Sequence, residues 1–121
     1  MTVWVWMGIA VLGSIGAIAR FLLDGLVSQR WGRDFPFGTL VINLSGAFLL
    51  GLLTGLALTG NALLLAGTAT LGSYTTFSTW MLETHRLAED GEVGLAVTNA
   101  VASVVVGVAA ATLGHAIGAR I

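Results

Sequence analysis

The sequence predicts an all-α membrane protein, and it predicts that its single domain, residues 1–121, contains four transmembrane helices. The chain is 56% hydrophobic and only 9% charged, whereas a soluble domain carries about 25% charged residues. Charged residues cluster between long uncharged runs. One of these runs contains a segment rich in glycine and hydroxyl side chains, and this segment predicts that the third helix is broken within the membrane.

The first helix is predicted over about residues 3–24. An uncharged run extends from Met1 to Ala19 without the basic start of a signal peptide. Arg20 ends this run, and it has two interpretations. It is either an arginine that reaches the membrane interface or a vestibule cation that attracts anions, as in anion pores. The vestibule cation is the interpretation that we favour.

The second and third helices are predicted over about residues 36–58 and 62–83. The uncharged run from Phe35 to Leu82 is too long for one spanning helix of about 20 residues and suits two. The sequence Thr-Gly-Asn at residues 59–61 is the expected turn between them. Pro36 lies where the first turn of a helix tolerates proline.

The break is predicted within residues 67–80, whose sequence is GTATLGSYTTFSTW. Serine and threonine hydroxyls can bond to nearby backbone, and glycine weakens a helix. Broken backbone at membrane depth is tolerated only where protein buries it or where it lines a water-filled cavity. The segment is therefore a candidate functional site.

Polar side chains in the other helices extend this candidate site. Thr39 and Asn43 are four residues apart and share a helix face. Asn43 either joins two helices by a hydrogen bond or lines a pore, where its amide offers donors to an anion. We favour the pore. In the fourth helix, predicted over residues 93–118, Asn99 and Ser103 could line a cavity or join helices, and neither role is preferred.

Two aromatic residues follow the predicted break. Phe77 and Trp80 are three residues apart and share a face if the helix resumes there. Aromatic residues in membrane helices are usually packing residues or interface anchors. Beside a polar break they could instead present their positive ring edges to an anion.

Composition and charge exclude several classes of protein. With a net charge of −1 and no lysine, the chain is not expected to bind nucleic acid. It has no cysteine for disulfides or thiolate metal sites. No nucleophile–base pair or metal cluster indicates an enzyme. The few arginines bias the topology only weakly, so insertion in both orientations is plausible.

With these residues in view, the chain resembles the bacterial fluoride channel family, Fluc or CrcB. Three blocks carry the resemblance: GSIGAIARF at residues 13–21, PFGTLVIN at residues 36–43 with Gly46, and GSYTTFST at residues 72–79. The fourth helix resembles that of the family in its general apolar character and not in a sequence motif. The chain departs from the family at residue 80, where Trp80 replaces the usual phenylalanine, and at Ser73-Tyr74, where the family often has Gly-Leu.

The resemblance implies an antiparallel, dual-topology homodimer of four-helix subunits in the bacterial inner membrane, with two separate fluoride pores. It implies a structural sodium ion at the two-fold axis, held by the backbone carbonyls of Gly72 and Thr75. It also implies that Phe77 and Trp80 line the pores, supported by Asn43. It further implies that Ser78 and Thr79 supply polar contacts. The residues themselves add Thr39 and Ser103 as candidate lining side chains and Arg20 as the candidate vestibule cation.

The function expected from this resemblance is passive, fluoride-selective export that reduces fluoride toxicity. Two alternatives remain. A dual-topology small multidrug exporter would need a carboxylate within the membrane, and the first three helix cores have none. A small structural membrane protein would leave the polar break and Asn43 unexplained.

Overall fold

The structure, a computed structural model, describes all residues from Met1 to Ile121 and is entirely helical, without strands. Three helices are long and apolar enough to cross a membrane. Two further helical segments lie between the second and third of these. The five segments are α1 (Val3–Trp31), α2 (Phe37–Gly55), α3 (residues 60–74), α4 (Ser78–Glu89) and α5 (Val93–Gly118).

The first helix continues past its predicted end near residue 24 to Trp31. Its end is set by Gly32, which has a φ of 80° and whose N–H donates to the carbonyl of Ser28. The sequence prediction used the first charged residues as the boundary. Charged residues outside the apolar region are compatible with helix, so α1 ends only where glycine supplies the left-handed cap.

The second helix is shorter than the predicted range 36–58. It begins at Phe37, after Pro36, and ends at Gly55. The chain then turns through Ala57, which has a φ of 60°, and Gly60, which has a φ of 59°. Gly60 lies in the predicted Thr-Gly-Asn turn, whereas Ala57 starts the turn earlier than that sequence alone indicated. The last helix, Val93–Gly118, has the same bounds as the sequence prediction.

The third predicted helix, 62–83, corresponds to two helical segments, α3 and α4. Segment α3 consists of α-helical Gly60–Leu63, π-helical Leu64–Leu71 and one α-helical turn at Gly72–Tyr74. Residues 75–77 are not helical, and Thr75 is extended with a φ of −80° and a ψ of 164°. We call residues 75–77 the break. Helix α4 resumes at Ser78 and extends beyond the predicted end to Glu89.

Helices α2 and α5 pack backbone against backbone. A Cβ atom added at Gly51 or Gly55 would clash with the carbonyls of Ala111 and His115 on α5. In return, a Cβ at Gly114 or Gly118 would clash with carbonyls on α2. Small residues at a spacing of four permit such close approach between membrane helices. This pair of helices is the rigid scaffold on which α3, α4 and the break are placed.

Few side chains are buried within a single chain. Thirteen of the 121 residues are buried, and large apolar residues of α1 and α5 are exposed, among them Trp4 at 78% and Val105 at 61%. Apolar surface of this extent is covered by lipid or by another protein. The fold is therefore that of a multi-pass membrane protein.

We expect Gly114→Ala to lower the free energy of unfolding by about 2 kcal/mol, because the added methyl group meets the carbonyl of Phe48 on the facing helix. SDS titration in detergent micelles, followed by circular dichroism, measures this change. Gly94→Ala is the matched control, since its Cβ would meet nothing within 4 Å and alanine favours helix. Equal stabilities of the two variants would contradict the close packing of α2 and α5.

Candidate functional site

The break is held by one side chain of α2. Asn43 Nδ2 donates to the carbonyl oxygen of Thr76 at 2.8 Å, and the amide N–H of Thr76 donates to Asn43 Oδ1 at 2.9 Å. The main-chain N–H and C=O groups of Thr76 are thus both paired with a single carboxamide, as they would be with a neighbouring strand. Polar backbone removed from water is costly unless it is paired. Asn43 therefore allows the chain to leave the helix at this point.

The same arrangement leaves two carbonyl groups without their helical donors. In an unbroken helix the carbonyl of Gly72 would accept from the amide of Thr76, but that amide is bonded to Asn43. The carbonyl of Thr75 would accept from the amide of Thr79, but that amide donates to Thr76 Oγ1 at 3.2 Å. The break thus frees two acceptors on neighbouring turns.

Thr76 organises the start of α4. Its Oγ1 accepts from the amide of Thr79 and donates to Thr79 Oγ1 at 3.1 Å. Ser78 Oγ lies 3.5 Å from the same hydroxyl. An N-terminal hydroxyl that accepts an amide N–H satisfies one of the donors that a helix start leaves unpaired.

A cavity of about 460 Å³ lies beside the break. Its wall includes both aromatic residues, whose ring centroids are 5.5 Å apart and whose planes meet at 80°. This edge-to-face arrangement directs the positive edge of one ring toward the face of the other. Six residues that the sequence singled out line this cavity: Asn43, Gly72, Thr75, Phe77, Trp80 and Ser103.

A smaller cavity of about 200 Å³ lies on the other side of Thr76, which lines both. Half-buried Arg20 lines this smaller cavity, together with Thr39 and Thr79. Thr39 is 3% exposed. Nine of the ten predicted site residues thus lie at these two cavities. The tenth, Ser78, is exposed beside the break and lines neither of them.

A third, charged cavity of about 600 Å³ adjoins the small one, because Asp24 lines both. Its ionisable groups are five carboxylates and two guanidinium groups, namely Asp24, Asp34, Glu83, Asp90, Glu92, Arg33 and Arg86. It is therefore not a basic funnel. Arg20, in the small cavity, is the cation nearest to the break along this series of cavities.

The two candidate polar residues of α5 have different surroundings. Ser103 lines the cavity beside the break. Asn99 is 1% exposed, and its Nδ2 donates to Thr84 Oγ1 at 2.8 Å. The question that the sequence left open is therefore answered separately for each residue: Ser103 lines a cavity and Asn99 joins two helices.

Sequence reasoning did not single out two hydroxyl residues that the structure places in the site. Thr76 lines two cavities and exchanges two hydrogen bonds with Asn43, and Thr84 connects α4 to α5. The adjacent threonines at 75 and 76 were the only available signal for Thr76. Thr84 lies next to a charged residue, Glu83, so its position in the sequence does not distinguish it from the residues of a solvated helix face.

Comparison with known proteins adds an independent observation. The profile of the family described as CrcB-like protein, Camphor Resistance (CrcB), matches residues 7–115. The chain is 59% identical over 114 residues to the fluoride-specific ion channel FluC 2 of Mycolicibacterium paratuberculosis, covering 94% of this chain and 93% of that protein. It is 56% identical over 115 residues to FluC 2 of Mycobacterium tuberculosis strain H37Rv, covering 95% and 91%.

A more distant relative is FluC 1 of Symbiobacterium thermophilum, which is also described as a fluoride-specific ion channel. The identity is 42% over 119 residues, with 93% of this chain and 96% of that protein covered. These similarities extend over nearly the full length of each protein. The relatives are thus named as ion channels and not as enzymes.

We expect Asn43→Leu to expose the backbone of the break. Removing the carboxamide leaves the Thr76 amide without its partner, at a cost of about 1–3 kcal/mol. Hydrogen exchange at the Thr76 amide, followed by NMR, should accelerate about 10-fold to 100-fold. Ser45→Ala is the matched control on α2, because Ser45 bonds to the Tyr74 hydroxyl and not to the break. Unchanged exchange in Asn43→Leu would show that Asn43 does not hold the break.

Proposed function

Because the chain belongs to the CrcB-like protein family, we propose that it is a fluoride-selective ion channel that exports fluoride passively from the cytoplasm. The observation that carries the mechanism is the series of three adjoining cavities beside the break, linked through Thr76 and Asp24. This series runs from a charged surface cavity to the aromatic pair. It supplies a route for an ion between polar side chains within an otherwise apolar chain.

The chemistry of the two inner cavities of this route suits a small anion. Hydroxyl groups of Thr79 and Ser103 line these cavities, and hydroxyls can donate to an anion. The Thr76 hydroxyl already donates to Thr79. The carboxamide nitrogen of Asn43 carries two N–H groups, of which one is bonded to Thr76. The second is available as a donor. Phe77 and Trp80 add positive ring edges, which attract an anion without the strong binding of a full charge.

The driving force comes from the membrane and not from the protein. Fluoride enters acidified cells as the neutral acid and ionises in the more alkaline cytoplasm. The membrane potential, worth about 2.3 kcal/mol per charge per 100 mV, then moves the anion outward through a passive pore. The three apolar helices and this route require no energy-coupling site. Such export reduces fluoride toxicity.

In this proposal, α3 and α4 together form the third of four membrane crossings. Neither segment alone matches the long apolar helices, but residues 60–82 lie within the uncharged part of the chain. The break then lies at membrane depth. Backbone of this kind is tolerated where it lines a cavity, and the cavity beside residues 75–77 meets that condition.

The functional unit in this proposal is an antiparallel, dual-topology homodimer in the bacterial inner membrane. A Cβ at Gly72 would meet nothing within 4 Å in the single chain, although Gly72 lines the main cavity. The backbone next to the break therefore faces open space. A second copy that packs here would close the cavity laterally and separate it from lipid.

A sodium ion fits the donor set at this position. No group of three or more His, Cys, Asp or Glu side chains offers a metal site. The freed carbonyl oxygens of Gly72 and Thr75 are instead hard, neutral ligands of the type that discontinuous membrane helices present to sodium. Two copies of the chain would supply four such oxygens. A bound cation would join the two breaks and offset part of the cost of bringing an anion nearby.

Purified protein in liposomes with a potassium gradient should release fluoride and retain chloride once valinomycin is added. The physical reason is that the donors and ring edges along the cavities suit a small anion. Anion-specific electrodes measure the release of both ions. Protein-free liposomes are the control for leakage. Equal release of the two anions would contradict fluoride selectivity, and release of neither would contradict the channel.

Sodium should stabilise the dimer. A ligand that binds only the folded dimer contributes about 2.7 kcal/mol at a concentration of 100 Kd. Dimer dissociation in detergent, measured by size exclusion, should shift to higher denaturant in sodium chloride than in N-methylglucamine chloride of equal ionic strength. Potassium chloride is the third salt. It tests whether the shift depends on the size of the cation or on salt in general. Identical dissociation in all three salts would contradict the sodium site.

A further inference from the structure

The indole ring of Trp80 is fixed by a closed cycle of three hydrogen bonds between α4 and α5. Trp80 Nε1 donates to the carbonyl oxygen of Asn99 at 3.2 Å. Asn99 Nδ2 donates to Thr84 Oγ1 at 2.8 Å, and Thr84 Oγ1 donates to the carbonyl oxygen of Trp80 at 2.8 Å. Each residue gives one bond and receives one. We call these three residues the Trp80 latch.

The latch is formed from both the side chain and the backbone of the same aromatic residue. The ring is attached to α5 through the Asn99 carbonyl, and the main chain of residue 80 is attached to α5 through Thr84 and the Asn99 side chain. Two separate attachments fix both the position of the ring and its rotamer.

The latch lies next to the proposed route of the anion. Trp80 and Ser103 line the same cavity, and Ser103 is the residue whose amide pairs with the Asn99 carbonyl in a regular helix. The ring of Trp80 also meets Phe77 edge to face at 5.5 Å. The latch therefore holds the aromatic pair against the hydroxyl wall of α5.

A phenylalanine at residue 80 would keep the two bonds through Thr84 but could not attach its ring to the Asn99 carbonyl, since the indole supplies the ring N–H donor. The tryptophan of this chain thus brings an attachment that aromatic packing alone does not provide. The buried carboxamide of Asn99, 1% exposed, would be costly without its partner in Thr84.

We propose that Asn99 and Thr84 are positioning residues for permeation, which act through the Trp80 latch to hold the indole edge at the wall of the cavity. This inference rests on the proposed function. If it is correct, the effect of substituting Thr84 or Asn99 on the fluoride efflux rate depends on which residue occupies position 80. A general role in joining α4 to α5 would not have that dependence.

A double-mutant cycle in proteoliposomes tests the proposal. Thr84→Val removes the central hydroxyl with little change in shape, and it should lower the fluoride efflux rate about fivefold in the Trp80 channel. In the Trp80→Phe background the same substitution should change the rate by less than about twofold. Asn99→Leu, the second variant, should show the same dependence. Equal effects of Thr84→Val in both backgrounds would overturn the latch.

Thr98→Val is the matched control for the loss of a hydroxyl. Thr98 Oγ1 donates to the carbonyl of Gly94 at 2.8 Å, which is the same type of bond that Thr84 makes, but Thr98 is exposed and has no connection to Trp80. This variant should keep fluoride efflux within about twofold of the parent rate. A loss as large as that of Thr84→Val would overturn the specific role of the latch.

The indole N–H resonance supplies a readout that does not depend on ion flux. Trp4, Trp6 and Trp31 are exposed and can be replaced by phenylalanine, which leaves Trp80 as the only tryptophan. In ¹⁵N-labelled protein, Thr84→Val should move the indole proton upfield and accelerate its exchange, whereas Thr98→Val should do neither. An unchanged resonance overturns the latch. A parent protein that passes no fluoride overturns the proposed function, and with it the role of the latch in permeation.

Discussion

The pairing of Asn43 with the backbone of Thr76 is the interaction on which the site depends. The side-chain amide of Asn43 on α2 and the main chain of Thr76 in the break exchange two hydrogen bonds, at 2.8 and 2.9 Å. This pairing compensates for the loss of helical bonds at the break. It also occupies the amide that would otherwise reach the Gly72 carbonyl. One side chain thus opens the helix, shapes the cavity and frees an acceptor.

The pairing works because its two partners are held on a rigid support. Helix α2 carries Asn43 and packs against α5 through glycines that permit backbone contact. Gly46, one turn after Asn43, leaves space that the Thr75 side chain fills. A larger residue at that position would push the break away from α2. Close packing of small residues therefore serves the geometry of the polar site as well as the stability of the helices.

The sequence predicted the all-helical membrane fold, and the uncharged runs correctly predicted where the long apolar helices α1, α2 and α5 lie. It misplaced helix ends where backbone conformation decides them, at Gly32 after α1 and at Ala57 after α2. Local hydrophobicity carries no information about a left-handed cap. Nine of the ten predicted site residues line two cavities, and their roles toward fluoride or sodium stay predictions. The cycle through Trp80, Thr84 and Asn99 was not predicted, because it joins residues of two helices whose register the sequence does not specify.

In the proposed mechanism, fluoride passes beside the break that Asn43 holds. Fluoride efflux through Asn43→Asp at neutral pH tests it most directly. The carboxylate keeps an acceptor for the Thr76 amide, removes the donors and places a negative charge at the wall of the cavity. We expect a folded protein, with the Thr76 amide still protected, whose fluoride efflux falls to the leak of protein-free liposomes. Efflux at the rate of the parent protein would contradict a route along this cavity.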